Sequence, residues 1–123
     1  MPNILIGGDL CPIGRNQSLF EQGNAALLLN DLLPEFENAD LSIVNLECPL
    51  IRDESPIVKC GPVLGAPTTC VNGMKAASIN MFNLANNHIM DHGTQGLQTT
   101  IETLEQHGIM HVGAGTNLDE ARK

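Results

Sequence analysis

A chain of 123 residues has room for one domain with a modest core. Its net charge of −8, with only six Lys and Arg, leaves no basic footprint for nucleic-acid phosphates. Aromatic residues make up 2%, with neither Trp nor Tyr, so the stacking platforms that sugars and bases use are missing.

No apolar run approaches the roughly 20 residues of a membrane helix. No basic segment followed by an apolar one opens the chain. The expectation is a cytoplasmic polypeptide with no anchor. The four cysteines, Cys11, Cys48, Cys60 and Cys70, lack the CxxC spacing of a zinc ribbon. Cys11 and Cys48 follow the first two strands and are expected to be neighbours, as free thiols rather than a disulfide.

In chain order, the first strand is read over residues 3–8. A polar, Gly-containing stretch over 12–24 and an apolar segment over 25–29 follow. A helix over 31–38 returns to the sheet, with Pro34 tolerated in its first turn and Leu32, Leu33, Phe36 and Ala39 on one face. The second strand covers 41–46. Residues 48–66 contain Pro49, Pro56, Gly61, Pro62 and Gly65 and read as a long irregular loop, a type of segment that is often functional. A helix over 68–77 leads into a third strand over 79–84.

The clearest helix spans 94–107, with Leu97, Ile101 and Leu104 at helical spacing and Gly108 placed as a left-handed cap. A fourth strand covers 109–112. Asn117 and Glu120 then form an Asn-x-x-Glu capping box for a last helix. Strand and helix alternate four times, which predicts an α/β fold with a largely parallel sheet.

Polar residues cluster where these strands stop, and ligands of open parallel sheets bind at that edge. Asp9 follows Gly7-Gly8 and reads as a cation or phosphate ligand, or as an acceptor of turn hydrogen bonds. Glu47 follows a strand whose last residues are apolar, and a carboxylate there needs a partner. Asn86, Asn87 and His88 form either a turn of αL-tolerant amides or a site. Asp91 is placed to hold an imidazole in one tautomer, or to cap the next helix. His92, His107 and His111 rank lower; His107 suits a helix C-terminus, and His111 alternates outward on its strand. Gly113-Ala114-Gly115 is only a faint phosphate loop. No Gly-x-Ser-x-Gly elbow or Walker lysine occurs.

Gly8-Asp9, Asn45-Leu46-Glu47-Cys48-Pro49-Leu50 and Ala85-Asn86-Asn87-His88-x-x-Asp91-x-Gly93-x-x-Gly96-Leu97, continued through Val112-Gly113-Ala114-Gly115 to Glu120-Ala121, resemble the bacterial capsule-synthesis family of the CapA type, associated with poly-γ-glutamate. That resemblance implies a metallophosphoesterase-like sandwich flanked by helices, of which residues 1–123 would supply the N-terminal half. It places Asp9, Glu47 and Asn87 as ligands of a divalent ion (Mn, Fe, Zn or Mg). His88 and Asp91 become the catalytic pair, and Asn45 and Asn86 the substrate-binding amides. Cys11 departs from the pattern, standing where a metal-binding His is usual.

The implied chemistry is metal-dependent hydrolysis or transfer on a phosphate ester or an anionic polymer. The alternative is a non-catalytic component of a capsule-polymer synthesis or export assembly. A half domain is expected to be inactive alone, and to self-associate or to need its missing C-terminal half.

Overall fold

Strand β1 spans Ile4–Leu10, β2 Leu41–Leu46, β3 Leu50–Ile51, β4 Ala66–Pro67, β5 Met81–Asn83 and β6 Met110–Val112 in the computed structural model, which describes residues 1–122. Four of these strands form one sheet in the order β1-β2-β5-β6, and every pairing in it is parallel. Parallel neighbours require a crossover. Helices α1 (Gln17–Gln22), α2 (Ala25–Leu29) and α3 (Leu33–Asn38) carry the chain from β1 to β2. Helix α4 (Val71–Ala76) leads into β5, α5 (Gly93–Gln106) joins β5 to β6, and α6 (Leu118–Ala121) follows. The expected α/β architecture with a four-stranded parallel sheet is present.

Alternation along the strands divides the sheet into two faces. Val44 and Leu46 of β2 and Phe82 of β5 point into the core, where Phe20, Met74, Leu84 and Leu104 join them. On the other face Ile6 aligns with Ile43, Ile43 with Met81, and Met81 with Met110. This apolar row is partly open: Ile6 is 77% exposed and Met110 49%.

Several boundaries differ from the sequence reading, each for a local reason. The stretch over 12–24 holds a helix, α1, because Phe20 is buried against α4. A Cβ on Gly73 would lie 2.6 Å from the Phe20 Cα, so glycine is what permits that approach. The expected helices over 31–38 and 68–77 each begin with a 3-10 turn, Asn30–Leu32 and Thr68–Cys70. The third strand shrinks to Met81–Asn83 because Ser78 sits at φ 61° and Asn80 turns its side chain to Ser42.

The long loop is not wholly irregular. β3 and β4 pair within it, and Thr100 of α5 ties β3 down by accepting from the Leu50 amide at 2.8 Å. Gly108 takes the left-handed conformation after α5, at φ 70°. His111 turns toward α5 rather than outward, its Nε2 lying 3.1 Å from Glu105 Oε1.

Candidate functional site

Gly7 and Gly8 decide where Asp9 points. Ile6 pairs with Ile43, and the next aligned pair is Asp9 with Asn45, so β1 spends one residue more than β2 over this interval. Such a bulge re-aims the side chains beyond it. Three residues after Ile6, Asp9 would otherwise face the core side; the bulge places it beside Asn45, on the face of Ile6 and Ile43. Asp9 thus lies within β1, which runs on to Leu10, rather than after its end.

Asn45 is the hub of this edge. Its Oδ1 accepts from Asn83 Nδ2 at 2.9 Å and from Asn86 Nδ2 at 3.1 Å. With its oxygen committed to two donors, the amide must turn its Nδ2 toward Asp9, and that group donates to Asp9 Oδ1 at 2.8 Å. Asn86 Nδ2 also donates to the Leu46 carbonyl at 2.6 Å, and its Oδ1 accepts from the His88 amide at 3.0 Å. A continuous polar chain therefore runs from Asp9 through Asn45 and Asn86 to His88.

His88 is buried and its Nδ1 lies 2.6 Å from Asp91 Oδ2. An ionised carboxylate only accepts, so the Nδ1 carries the proton and Nε2 is the ring atom left for a ligand. Asp91 itself is 1% exposed. The Leu64 amide donates to its Oδ2 at 2.8 Å and Lys59 Nζ to its Oδ1 at 2.7 Å. Burial by itself would push this carboxyl up. The Leu64 amide, the Lys59 ammonium and the His88 ring outweigh it and hold the group below the ordinary carboxylate value. Asp91 does not cap α5, whose first turn receives no side-chain cap.

The same turn straps the long loop to the fold. The Ser55 amide donates to His92 Nδ1 at 3.0 Å, Ser55 Oγ to the His92 carbonyl at 2.7 Å, and the Ile57 amide to the Asp91 carbonyl at 2.9 Å. His92 is a structural anchor, and a Cβ on Gly65 would come within 2.8 Å of its Nε2.

Glu47 is half-buried, and its amide donates to the Leu10 carbonyl at 2.9 Å. Its carboxylate charge acts on Cys11 and Cys48, whose thiols lie close enough to influence each other. All four cysteines are free, with Cys48 and Cys70 fully buried. Burial raises both thiols of the pair above the ordinary value, and raises Cys70 to about 11. Asn87 is exposed.

Asp9, Glu47 and Asn87 offer oxygen donors of the kind hard divalent ions take. Among the described residues, however, no three His, Cys, Asp or Glu side chains gather into one group that could hold a metal ion.

At Gly113-Ala114-Gly115 the backbone amides on either side of the turn are committed within the chain. The Gly113 amide donates to Ala121, and Glu120 Oε2 accepts from the Thr116 amide and hydroxyl at 2.7 and 2.6 Å. Asn117 Oδ1 caps α6 through the Glu120 amide at 2.9 Å. The capping box therefore forms with its acid reaching one residue further back than the simple motif. A cleft of about 750 Å³ runs along β6 and α5 past Met81, Ile101 and Met110, and Asp9, Asn45, Asn86, His88 and Asp91 do not line it.

Asn83, Lys59 and Ser55 were not among the sequence candidates. Asn83 was findable in principle, because it lies on the same face as Met81 in an alternating strand. Lys59 and Ser55 sit in an irregular loop, where no periodicity signals a partner.

A parallel α/β sheet with amides, acids and a histidine–aspartate pair at one end defines a protein consistent with part of a metallophosphoesterase-like fold. The chain belongs to the bacterial capsule synthesis protein PGA_cap family, whose model matches residues 3–123. It is 33% identical over 92 residues to the capsule biosynthesis protein CapA of Bacillus anthracis, covering 72% of this chain and 22% of that protein. It is 34% identical over 84 residues to a probable polyglutamine synthesis accessory protein of Mycobacterium tuberculosis, covering 68% of this chain and 22% of that one. With the PGA biosynthesis protein CapA of Bacillus subtilis it shares 28% identity over 108 residues, 87% of this chain and 28% of the relative. The chain thus spans about a quarter of the length of these relatives. No helix among the described residues is long and apolar enough to cross a membrane.

Proposed function

We propose that these residues contribute the histidine–aspartate portion of a hydrolase or transferase site acting on an anionic substrate, a phosphate ester or an amide-linked polymer, in capsule or poly-γ-glutamate biosynthesis. The observation that carries this reading is His88. Its Nδ1 is fixed on buried Asp91 and its backbone amide on Asn86, so its Nε2 is the atom available to take up a proton and, once protonated, to hand it over or to stabilise developing charge. Asn45 and Asn86 shape the adjoining polar edge, with Asp9 at its far end.

A divalent ion at this edge would polarise the substrate and lower the pKa of a bound water. If one binds, Asp9, Glu47 and Asn87 are its donors here, and Asp9→Ala weakens its binding more than His92→Ala or His111→Ala does. The alternative is a non-catalytic component of a polymer synthesis or export assembly. The word "accessory" in the name of one relative favours it.

Hydrolysis assays on the full-length protein, with divalent metal added, separate the two. Turnover that falls by about 10²–10⁴ in His88→Ala supports the first reading; no turnover on phosphate-ester or poly-γ-glutamate substrates supports the second. The same proposal extends to the apolar row of Ile6, Ile43, Met81 and Met110. Parallel sheets are covered on both faces, so that row is covered by a second copy or by the rest of a longer polypeptide. A monodisperse monomer of this chain in light scattering counts against self-association.

A further inference from the structure

Strands β1 and β2 end side by side. Leu10 aligns with Leu46, and the Glu47 amide closes the pairing on the Leu10 carbonyl at 2.9 Å. The next residue out of β1 is Cys11, and Cys48 lies just past Glu47. The paired strand ends bring the two side chains close enough for each thiol to influence the other. Their exposures differ: Cys48 is fully buried, whereas Cys11 is only half-buried. The other two cysteines are placed differently. Cys60 is exposed on the strapped loop, and Cys70 points its sulfur at the Pro12 and Gln17 carbonyls, 3.9 and 4.0 Å away.

We propose that Cys11 and Cys48 form a two-cysteine oxidation site, closing to a disulfide that ties the end of β1 to the end of β2. The oxidant is a small-molecule disulfide such as oxidised glutathione. The half-buried Cys11 sulfur attacks one sulfur of that disulfide, forms a mixed disulfide and releases one thiol. Cys48, already beside it, attacks the Cys11 sulfur and displaces the second thiol. Two protein thiols lose two hydrogens and two electrons, and one external disulfide becomes two thiols. Cys11 is the point of entry because it alone of the pair is reachable, and Cys48 is the resolving partner. The inference does not depend on the function proposed above.

The test treats the purified chain with oxidised glutathione, quenches with an alkylating agent and identifies linked peptides by mass. The expected product is a Cys11–Cys48 crosslink, two hydrogens lighter than the reduced pair and reopened by reduced glutathione. Cys48→Ala removes the resolving thiol, so a stable glutathione adduct accumulates on Cys11. A second measurement needs no variant: the oxidised chain unfolds about 10 °C above the reduced one, because the bond closes a long loop. The proposal is overturned if wild type and Cys48→Ala hold the same Cys11 adduct. It is equally overturned if Cys48–Cys70 or Cys60-linked products dominate, or if oxidation leaves the unfolding temperature unchanged or lower.

Discussion

Replacing Asp91 by Asn tests whether the buried carboxylate holds the strap and the His88 turn together. The substitution keeps the shape, yet turns one acceptor oxygen into a donor. Asp91 accepts from Lys59 on one oxygen, and from His88 and Leu64 on the other. The less costly orientation keeps the amide oxygen on His88 and Leu64 and sets the new NH₂ against the Lys59 ammonium. One charge-assisted bond, about 1.5–3 kcal/mol, is then lost, and a buried donor is left without a partner at about 1–3 kcal/mol. The Lys59 side chain is 19% exposed and can swing toward water, so no further charge-burial penalty is added. The net cost is about 3 kcal/mol, equivalent to a fall of roughly 12 °C in Tm for a chain of this size.

Urea unfolding of both proteins at neutral pH gives the comparison, with m unchanged if the unfolded state is the same. The pH dependence supplies a second readout. The Asp91 pKa is depressed in the fold, so its contribution is complete above the unfolded carboxyl value of about 3.9. It is lost as pH falls through the lower folded value. The gap between wild type and Asp91→Asn should therefore close below about pH 4. A variant within about 0.5 kcal/mol of wild type at pH 7 would refute the reasoning, as would a gap that persists undiminished to strongly acid pH.

Gly73→Ala pits about 1 kcal/mol of improved helix propensity against a Cβ placed 2.6 Å from the Phe20 Cα and 2.9 Å from its carbonyl oxygen. Backbone cannot rotate aside, so the clash wins and the variant loses about 1–2 kcal/mol in chemical denaturation; a more stable variant would contradict the α1–α4 packing. Thr100→Val leaves the buried Leu50 amide without its acceptor and should cost about 1–3 kcal/mol at unchanged m, with a neutral result arguing against that anchor of β3. Asn83→Ala removes one of the two donors that orient Asn45. Stability should drop by about 1 kcal/mol, and the Asn45 side-chain amide resonances should shift in NMR; unmoved resonances would show that Asn83 does not orient Asn45.

Local pattern was enough to place the parallel α/β sheet. Apolar strands alternate with helical periods, and both signals are carried by residues two to four apart in sequence. The β2 limits, the left-handed cap at Gly108 and the Asn117 cap were legible for the same reason, since each depends on the chemistry of a few adjacent residues. The family pattern was legible too, as a run of fixed spacings around Asn86, His88 and Asp91.

What the sequence did not carry was pairing between distant segments. Helix α1 looked like polar loop because its one buried anchor, Phe20, needs Gly73 more than fifty residues later. That Asp9 faces Asn45 depends on a bulge visible only once β1 is laid against β2. Asn83 orients Asn45 across strands, and Lys59 reaches Asp91 from an irregular loop. A lone Lys or Asn in sequence gives no sign of its partner. Only the folded chain decides which donor meets which acceptor, because a buried polar group must find its partner wherever the tertiary structure brings one.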